Sequence, residues 1–240
     1  MSQLFNDILA AKSSGTKLLA ILLDPDKIVW EQLGELVANI YASAATHIFI
    51  GGSLVLSDRI SELISAIKSK CSLPIILFPG NPSQISDKAD GILFLSLISG
   101  RNPEYLIGHH VNAAPILKKS SLEVIPTGYI LIDGGSETAV RNVSQTDPLP
   151  RDNHDLAVAT ALAGEMLGSK LIYLEAGSGA KLSVPTETIV RVAAEITVPL
   201  IVGGGIKSLE SIQTAYDHGA DMVVIGTAFE NDMNFFKHRE

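Results

Sequence analysis

At residues 173–179 the chain reads Tyr173-Leu174-Glu175-Ala176-Gly177-Ser178-Gly179, a short apolar run that ends in a glycine-rich turn. Similar turns follow apolar runs at Gly203-Gly204-Gly205 and at Gly226-Thr227. Glycine has no Cβ, so a ligand can approach the main chain and successive N–H groups can converge on an anion. Each turn alone reads most simply as a tight strand-to-helix connection. Together they predict a phosphate-binding cradle, with the carboxylate of Glu175 beside it.

Short apolar strands alternate with helical segments along the chain, which predicts βα units and a parallel sheet. Two helices are marked by apolar residues spaced three or four apart: Leu33, Leu36, Val37 and Ile40, then Ile60, Leu63, Ile64 and Ile67. Eight strands are predicted, at residues 18–23, 47–50, 74–78, 91–95, 124–132, 171–174, 200–202 and 222–225. Eight such units close as a TIM barrel, so the predicted fold class is α/β, a TIM (β/α)8-type barrel.

Composition narrows the class of protein. The chain has 240 residues, 46% of them hydrophobic, and a net charge of −8. This length suits one barrel domain spanning residues 1–240, and the negative charge disfavours nucleic acid as a partner. Cys71 is the only cysteine, which excludes an intrachain disulfide and favours a reducing compartment. With neither a leader-like N-terminus nor a long apolar run, we expect a cytoplasmic protein without a transmembrane segment.

A second group of polar residues follows the first two predicted strands. Asp24-Pro25-Asp26-Lys27 comes directly after the first strand, and Gly51-Gly52-Ser53 ends the second. Carboxylate and hydroxyl oxygens suit Mg²⁺, which takes one or two carboxylates together with substrate phosphates. The alternative is a simple turn in which the aspartate caps a helix. The tetrapeptide alone favours the turn.

Two further segments carry weaker signals. Residues 133–150 are rich in Gly, Ser, Thr, Asn, Asp and Pro, which predicts a long functional loop after the fifth strand. His109 and His110 are adjacent in a helical stretch and so do not share a helix face. We interpret them as ordinary interface or surface residues, not as metal ligands.

These motifs, in this order and over nearly the whole chain, resemble the geranylgeranylglyceryl phosphate synthases, a family that includes the bacterial heptaprenylglyceryl phosphate synthases. The segment at residues 173–179 is the most specific element of the resemblance. The resemblance implies a modified TIM barrel that joins sn-glycerol 1-phosphate to a long-chain prenyl diphosphate with Mg²⁺, releasing diphosphate. It also implies lipid biosynthesis, a homo-oligomer (dimer or hexamer), and transient membrane contact through the lipid product.

The resemblance assigns roles to matching residues. Asp24 and Ser53 would hold Mg²⁺, and Glu175 would orient or deprotonate the attacking glycerol hydroxyl, the alternative being a structural ion pair with a lysine. Tyr129 resembles a family tyrosine near the prenyl groove, although core packing would equally explain it. Residues implied to hold glycerol 1-phosphate are Tyr173, Leu174, Glu175, Ala176, Gly177, Ser178, Gly179, Gly203, Gly204, Gly226 and Thr227.

The chain departs from some relatives at one position. They carry a lysine two residues before the metal-site aspartate, where this chain has Leu22. The phosphate charge must then be met by backbone donors or by another cation, and Lys207 is the nearest candidate in the sequence. Tyr105, after the fourth strand, is large enough to end a prenyl groove, which favours a C20 geranylgeranyl donor over a C35 heptaprenyl donor.

Two alternatives stay open at this stage. A phosphosugar isomerase-type barrel would share the phosphate site and use Asp24 with an acid–base partner near Asp133. A non-catalytic phosphate-binding barrel would be expected to lack the metal site. The motif containing Glu175 disfavours the isomerase, and the presence of both Asp24 and Ser53 favours catalysis.

Overall fold

The computed structural model describes residues 3–236, and its eight strands are all parallel and form a closed barrel in sequence order. The predicted TIM barrel is therefore confirmed, and the strand bounds differ from the predicted ones by at most two residues. The strands are β1 Leu18–Leu23, β2 His47–Ile50, β3 Ile75–Leu77, β4 Gly91–Leu97, β5 Glu123–Leu131, β6 Leu171–Glu175, β7 Leu200–Gly203 and β8 Met222–Ile225.

Helices surround the barrel. They are α1 Gln3–Ser14, α2 Leu33–Tyr41, α3 Ile60–Lys68, α4 His109–Leu117, α5 Ala139–Ser144, α6 His154–Met166, α7 Thr186–Glu195, α8 Leu209–Asp217 and α9 Thr227–Asn231. The apolar residues that predicted α2 and α3 are all buried against the strands. None of the helices within residues 3–236 is both long enough and apolar enough to cross a bilayer.

The connection between β3 and β4 modifies the standard barrel. Within the part of the chain that the structure describes, this connection holds only the short 3-10 helix Pro82–Gln84 in place of an α-helix. The helix begins where Asn81 Oδ1 accepts the N–H of Ser83 at 2.8 Å. A missing helix leaves one side of the barrel thinly covered, and the apolar groove described below lies at this side.

Side chains alternate across each strand, so that one set fills the barrel and the other packs beneath the helices. In β6, Tyr173 belongs to the inner cluster, whereas Ile172 and Leu174 belong to the outer one. Glu175 follows Tyr173 by two residues and therefore points to the same side, into the carboxyl end of the barrel.

Helix α1 packs at the amino end of the barrel. Ile8 is buried in the inner cluster, and Leu4 and Phe5 pack against that cluster. The Glu123 carboxylate accepts the N–H groups of Leu4 and Phe5, each at 2.8 Å. A negative charge at a helix N-terminus is stabilised by the orphan donors and the helix dipole. This leaves the carboxyl end as the open face of the barrel.

Two sequence-based expectations need correction. Residues 133–150 are not loop throughout, because α5 lies within them, capped by Thr138, and Ile132 pairs with Leu149 in a parallel bridge. His110 is not a surface residue. It is buried against Phe94 with ring centroids 4.4 Å apart, and Nε2 lies 3.1 Å from Ser96 Oγ. Adjacent helical residues point in different directions, so one histidine of a pair can face the core.

Candidate active site

A cavity of about 630 Å³ opens at the carboxyl ends of the strands, where TIM barrels place their active sites, and we call it the polar cavity because charged and hydroxyl side chains lie along it. It brings together residues of β1, β5, β6 and β8 and of the loops after β1, β2, β6, β7 and β8. The predicted site residues that line it are Asp24, Ser53, Tyr129, Tyr173, Glu175, Ser178, Gly179, Gly204, Gly226 and Thr227. The strand ends singled out in the sequence thus meet in one place.

The glycine-rich turns after β6 and β8 are in direct contact. Ser178 Oγ lies 3.1 Å from Thr227 Oγ1, although the two residues are 49 positions apart in the chain. Gly226 precedes α9, and Leu22 lies beside it: a Cβ added to Gly226 would sit 3.6 Å from Leu22 Cβ. Leu22, two residues before Asp24, therefore faces this turn with an apolar side chain.

Glu175 is a buried carboxylate at the floor of the cavity. Its Oε1 accepts the N–H of Gly177 at 2.7 Å. Burial raises the pKa of Glu175 to about 7, and the hydrogen bond from Gly177 opposes that rise. No ion pair of Glu175 with a lysine occurs among residues 3–236. A carboxylate with a pKa near neutrality can accept a proton during a reaction.

Two glycines after β7 make room for this carboxylate. A Cβ at Gly204, whose φ is +79°, would lie 2.3 Å from Glu175 Oε1. A Cβ at Gly203 would lie 2.4 Å from the Tyr173 hydroxyl and 3.0 Å from Glu175 Oε2. Such distances are far below van der Waals contact, so any larger residue would displace Glu175 or Tyr173.

Four of the predicted site residues do not line the cavity: Leu174, Ala176, Gly177 and Gly203. Leu174 and Ala176 have buried side chains in the outer layer, so any contact they make with a ligand would come from their main chain. The N–H of Gly177 already donates to Glu175, and Gly203 packs behind Tyr173. Their positions support Glu175 and leave the cavity surface to their neighbours.

Asp24 lies at the rim of the cavity in a small network of charges. Its Oδ1 accepts the N–H of Asp26 at 3.1 Å, so the predicted capping role is real. Its Oδ2 lies 3.5 Å from Lys27 Nζ, which donates to Glu230 Oε2 at 2.8 Å. A Cβ at Gly52 would be 3.7 Å from Asp24 Oδ2, which places Asp24 beside the turn that holds Ser53.

Gln84 holds the turn after β2 in place. Its buried side chain donates to the carbonyl of Gly52 at 2.9 Å and accepts the N–H of the same residue at 3.3 Å. Gly51 has φ +143°, and a Cβ there would lie 2.2 Å from the carbonyl of Phe78. The hydrogen bonds of Gln84 to Gly52 and the close packing of Gly51 on Phe78 fix the orientation of the turn that carries Ser53.

An apolar groove adjoins the polar cavity. It encloses about 80 Å³, and Leu93, Leu97, Tyr105 and His110 are among the residues that line it. Tyr105 stacks edge-on against His109 with centroids 4.9 Å apart and donates to the carbonyl of Val143 at 3.2 Å. The residues that line both cavities are Gly52, Ser53, Phe78, Tyr129 and Val140.

Three aromatic rings mark the junction between the two cavities. Phe78, Tyr129 and Tyr173 lie with their ring centroids 5.2–5.8 Å apart. Burial raises the pKa of both tyrosines well above the ordinary value, so both phenols stay neutral. Tyr129 therefore packs in the inner core and also borders both cavities, and its role toward a prenyl chain stays a prediction.

The rim suits Mg²⁺ better than a metal that needs a full set of protein ligands. No group of three or more His, Cys, Asp or Glu side chains in residues 3–236 could hold a metal ion. Mg²⁺ uses few carboxylates and keeps water and phosphate oxygens, which matches Asp24 with the nearby Ser53. Lys27 already shows that Asp24 Oδ2 faces a cation.

Sequence analysis assigned no role in the site to four of these residues, Lys27, Phe78, Gln84 and Glu230. Lys27 and Glu230 are 203 positions apart, and Gln84 lies in a connection without periodicity. Phe78 ended a predicted strand, and no motif marked it as a site residue. The sequence carried no signal that could pair these residues, because each contact depends on closure of the barrel.

Fold and site together define a TIM barrel with a polar cavity at the carboxyl end of its strands and an apolar groove leading from it. The sequence profile of the PcrB family matches residues 13–238. The chain therefore belongs to the PcrB family.

Individual relatives agree with this assignment. The chain is 64% identical to a geranylgeranylglyceryl phosphate synthase of Flavobacterium johnsoniae, covering 98% of this chain and 97% of the relative. It is 46% identical to the enzyme of the same name from Chitinophaga pinensis, with coverages of 98% and 94%. The family predicted from the sequence is confirmed.

A solved structure extends the comparison to the fold. The (S)-3-O-geranylgeranylglyceryl phosphate synthase of Thermoplasma acidophilum, in complex with its substrate sn-glycerol-1-phosphate, matches with a TM-score of 0.92 and 36% identity. The match covers 99% of this chain and 95% of that one. The tryptophan synthase α-subunit of Pyrococcus furiosus, at 13% identity and a TM-score of 0.55, shares the fold alone.

Proposed function

We propose that this chain is a Mg²⁺-dependent prenyltransferase of lipid biosynthesis that joins a prenyl diphosphate to a hydroxyl of sn-glycerol 1-phosphate. The products are an ether-linked prenylglyceryl phosphate and diphosphate. Its relatives carry the name of this activity, and a relative of known structure binds the glycerol substrate. The main observation behind the proposal is that the polar cavity and the apolar groove meet at the carboxyl end of the barrel.

Each cavity suits one part of the reaction. An amphiphilic donor needs an apolar site for its chain and a polar site for its diphosphate. Ser53 lines both cavities, and Asp24 lies beside the turn that carries Ser53. The contacting turns that carry Ser178 and Thr227 offer hydroxyls and backbone donors for the phosphate of the acceptor. We assign the glycerol 1-phosphate site to these turns and to the neighbouring Gly204 and Gly226.

Glu175 is assigned the role of base. The allylic C–O bond breaks, its electron pair leaves with diphosphate, and the glycerol hydroxyl oxygen forms the new ether bond. The hydroxyl proton passes to the Glu175 carboxylate, whose pKa of about 7 suits transfer near neutral pH. The backbone N–H of Gly177 holds one oxygen of this carboxylate and so fixes its orientation.

The rim residues and the three aromatic rings would stabilise the charges that develop during the reaction. Asp24 and Ser53 would hold Mg²⁺, which when bound would stabilise the negative charge that grows on the departing diphosphate. Phe78 and Tyr129 line both cavities, and Tyr173 packs against them from the polar cavity. Aromatic faces are electron-rich and stabilise positive charge, such as that of an allylic cation.

We further propose a C20 geranylgeranyl donor. The apolar groove is narrow, with a cavity volume of about 80 Å³. Tyr105 is a bulky member of that lining, tied to Val143 and stacked on His109. Each methylene kept out of the groove costs about 0.8 kcal/mol, which penalises longer chains.

Assembly and location complete the proposal. Ile107, Val111 and Ile116 expose apolar side chains on and just before α4, which supports a homo-oligomer, either a dimer or a hexamer. We expect the enzyme in the cytoplasm, with transient membrane contact when the lipid product leaves.

The isomerase alternative has little support in the structure. It expects an acid–base partner for Asp24 near Asp133, and Asp133 is not among the residues that line the cavity with Asp24. The deciding experiment incubates the protein with labelled sn-glycerol 1-phosphate and prenyl diphosphates, with and without Mg²⁺. We expect an ether-linked, Mg²⁺-dependent product, and a folded protein that forms none would refute the proposed function.

A further inference from the structure

Lys27 occupies an unusual position at the rim of the cavity. Its ammonium group bridges two carboxylates, Glu230 at 2.8 Å and Asp24 at 3.5 Å. Glu230 also accepts the backbone N–H of Asp24 at 3.2 Å, so α9 is tied to the turn after β1. The Lys27 side chain is 49% exposed and lines the cavity, whereas the two carboxylates are 21% and 13% exposed.

The ion pair of Lys27 with Asp24 conflicts with the binding of Mg²⁺ at Asp24. Asp24 Oδ2 cannot lie against the Lys27 ammonium and a bound Mg²⁺ at the same time without bringing two cations together. Like charges a few ångströms apart repel strongly where water is partly excluded. Because Lys27 is flexible and half exposed, it is the partner that can leave.

The cavity also needs a cation for the donor. A prenyl diphosphate carries more negative charge than one Mg²⁺ neutralises, and Leu22, which lines the cavity two positions before Asp24, carries no charge. Only two lysines in residues 3–236 line the cavity, Lys27 and Lys207. Lys207 donates to the carbonyl of Lys181 at 3.2 Å, beyond β7, whereas Lys27 adjoins the proposed metal ligand Asp24.

We propose that Lys27 is an exchangeable counter-cation of the donor site, an inference that rests on the proposed function. In the free enzyme Lys27 neutralises Asp24 and Glu230. When Mg²⁺ binds at Asp24, the ammonium turns to the diphosphate, while Glu230 keeps it at the rim. Lys27 is thus a positioning residue for the diphosphate and a competitor of the metal in the free enzyme.

Opposite effects on two binding constants test this inference. Isothermal titration calorimetry would measure Mg²⁺ alone, then inorganic pyrophosphate in saturating Mg²⁺, for the wild type and Lys27→Met. We expect Lys27→Met to bind Mg²⁺ several-fold more tightly and to bind pyrophosphate about tenfold more weakly, since a charged hydrogen bond is lost. A merely structural role would weaken both affinities.

Two further variants serve as comparisons. Lys68→Met removes a lysine that pairs with Asp90 away from the cavity, and both affinities should stay at wild-type values. Glu230→Gln should weaken Mg²⁺ binding by no more than a few-fold, because Lys27 then pairs with Asp24 alone and competes more strongly with the metal. A tenfold loss of Mg²⁺ affinity in Glu230→Gln would make Glu230 a metal ligand and would overturn the inference.

The outcomes separate this inference from the proposed function. Wild-type binding of Mg²⁺ and pyrophosphate with unchanged constants in Lys27→Met refutes the role of Lys27 and leaves the prenyltransferase proposal standing. Failure of the folded wild type to bind pyrophosphate with Mg²⁺ refutes both. Melting temperatures of all variants show whether an effect comes from loss of the fold.

Discussion

Glu175 Oε1 accepts the backbone N–H of Gly177 at 2.7 Å, two residues further along the same turn. The turn at residues 177–179 therefore fixes the carboxylate as well as shaping the cavity. A hydrogen bond to the charged form lowers a carboxyl pKa, yet burial raises the pKa of Glu175 to about 7. Desolvation dominates here, and it leaves a carboxylate that can take up a proton near neutral pH.

Replacing Glu175 tests the role of base. Glu175→Gln keeps the shape and can still accept the Gly177 N–H, but it cannot accept the proton of the glycerol hydroxyl. We expect kcat to fall by about 10²–10⁴ while glycerol 1-phosphate binding changes little. Steady-state kinetics and calorimetry measure the two effects. An effect confined to KM would make Glu175 a binding residue instead.

The raised pKa of Glu175 also predicts how stability depends on pH. Between pH 4.5 and about 7 the folded protein holds a proton that the unfolded chain has lost. The free energy of unfolding contributed by Glu175 is therefore highest below this range and falls as pH rises through it. Urea denaturation should show that the free energy of unfolding falls more between about pH 5 and about pH 8 in the wild type than in Glu175→Gln. Equal losses in the two proteins would contradict the raised pKa.

Asp24→Asn tests the metal site. The carboxylate lies at the rim and not in the core, so we expect a folded protein without Mg²⁺-dependent turnover. Asparagine can still accept the N–H of Asp26, which preserves the cap. Circular dichroism checks the fold, and the labelled-product assay checks activity. Near-normal Mg²⁺-dependent activity in the folded variant would remove Asp24 from the metal site.

Gly204→Ala tests the space that the β7 turn leaves for Glu175. The added methyl would lie 2.3 Å from Glu175 Oε1 at a φ of +79°. We expect a stability loss of about 1–3 kcal/mol together with a large loss of kcat. Gly15→Ala is the stability control, because Gly15 has a similar φ of +73° and a Cβ there would meet no atom within 4 Å. Similar melting temperatures for both variants would argue against the steric role of Gly204.

Tyr105→Ala tests the length of the prenyl groove. Removing the ring should raise the kcat/KM of a C35 donor relative to a C20 donor, because methylenes blocked by the ring could then be buried. Tyr105→Phe keeps the bulk, loses the hydrogen bond to Val143, and should keep the wild-type ratio. A wild type that already prefers C35 would refute the proposed donor. An unchanged ratio in Tyr105→Ala would place the end of the groove elsewhere.

The sequence by itself determined the barrel and the ends of its strands. Apolar runs of strand length alternate with helical segments, and this local periodicity predicted β1 to β8 within two residues. It also brought Glu175, Ser178 and Thr227 to one face, because the carboxyl ends of parallel strands share an edge. Periodicity failed at residues 133–150, where α5 is too short to show a clear repeat, and at His110, whose burial depends on Phe94.

Only the tertiary structure decided which atoms meet. The ion pair of Lys27 with Glu230 joins residues 203 positions apart, and it exists because closure of the barrel places β8 beside β1. The same closure buries Glu175 and so raises its pKa. Likewise, the apolar groove arises where the β3–β4 connection holds Pro82–Gln84 in place of an α-helix. Distances and burial are properties of the packed chain, and a linear pattern of residues does not contain them.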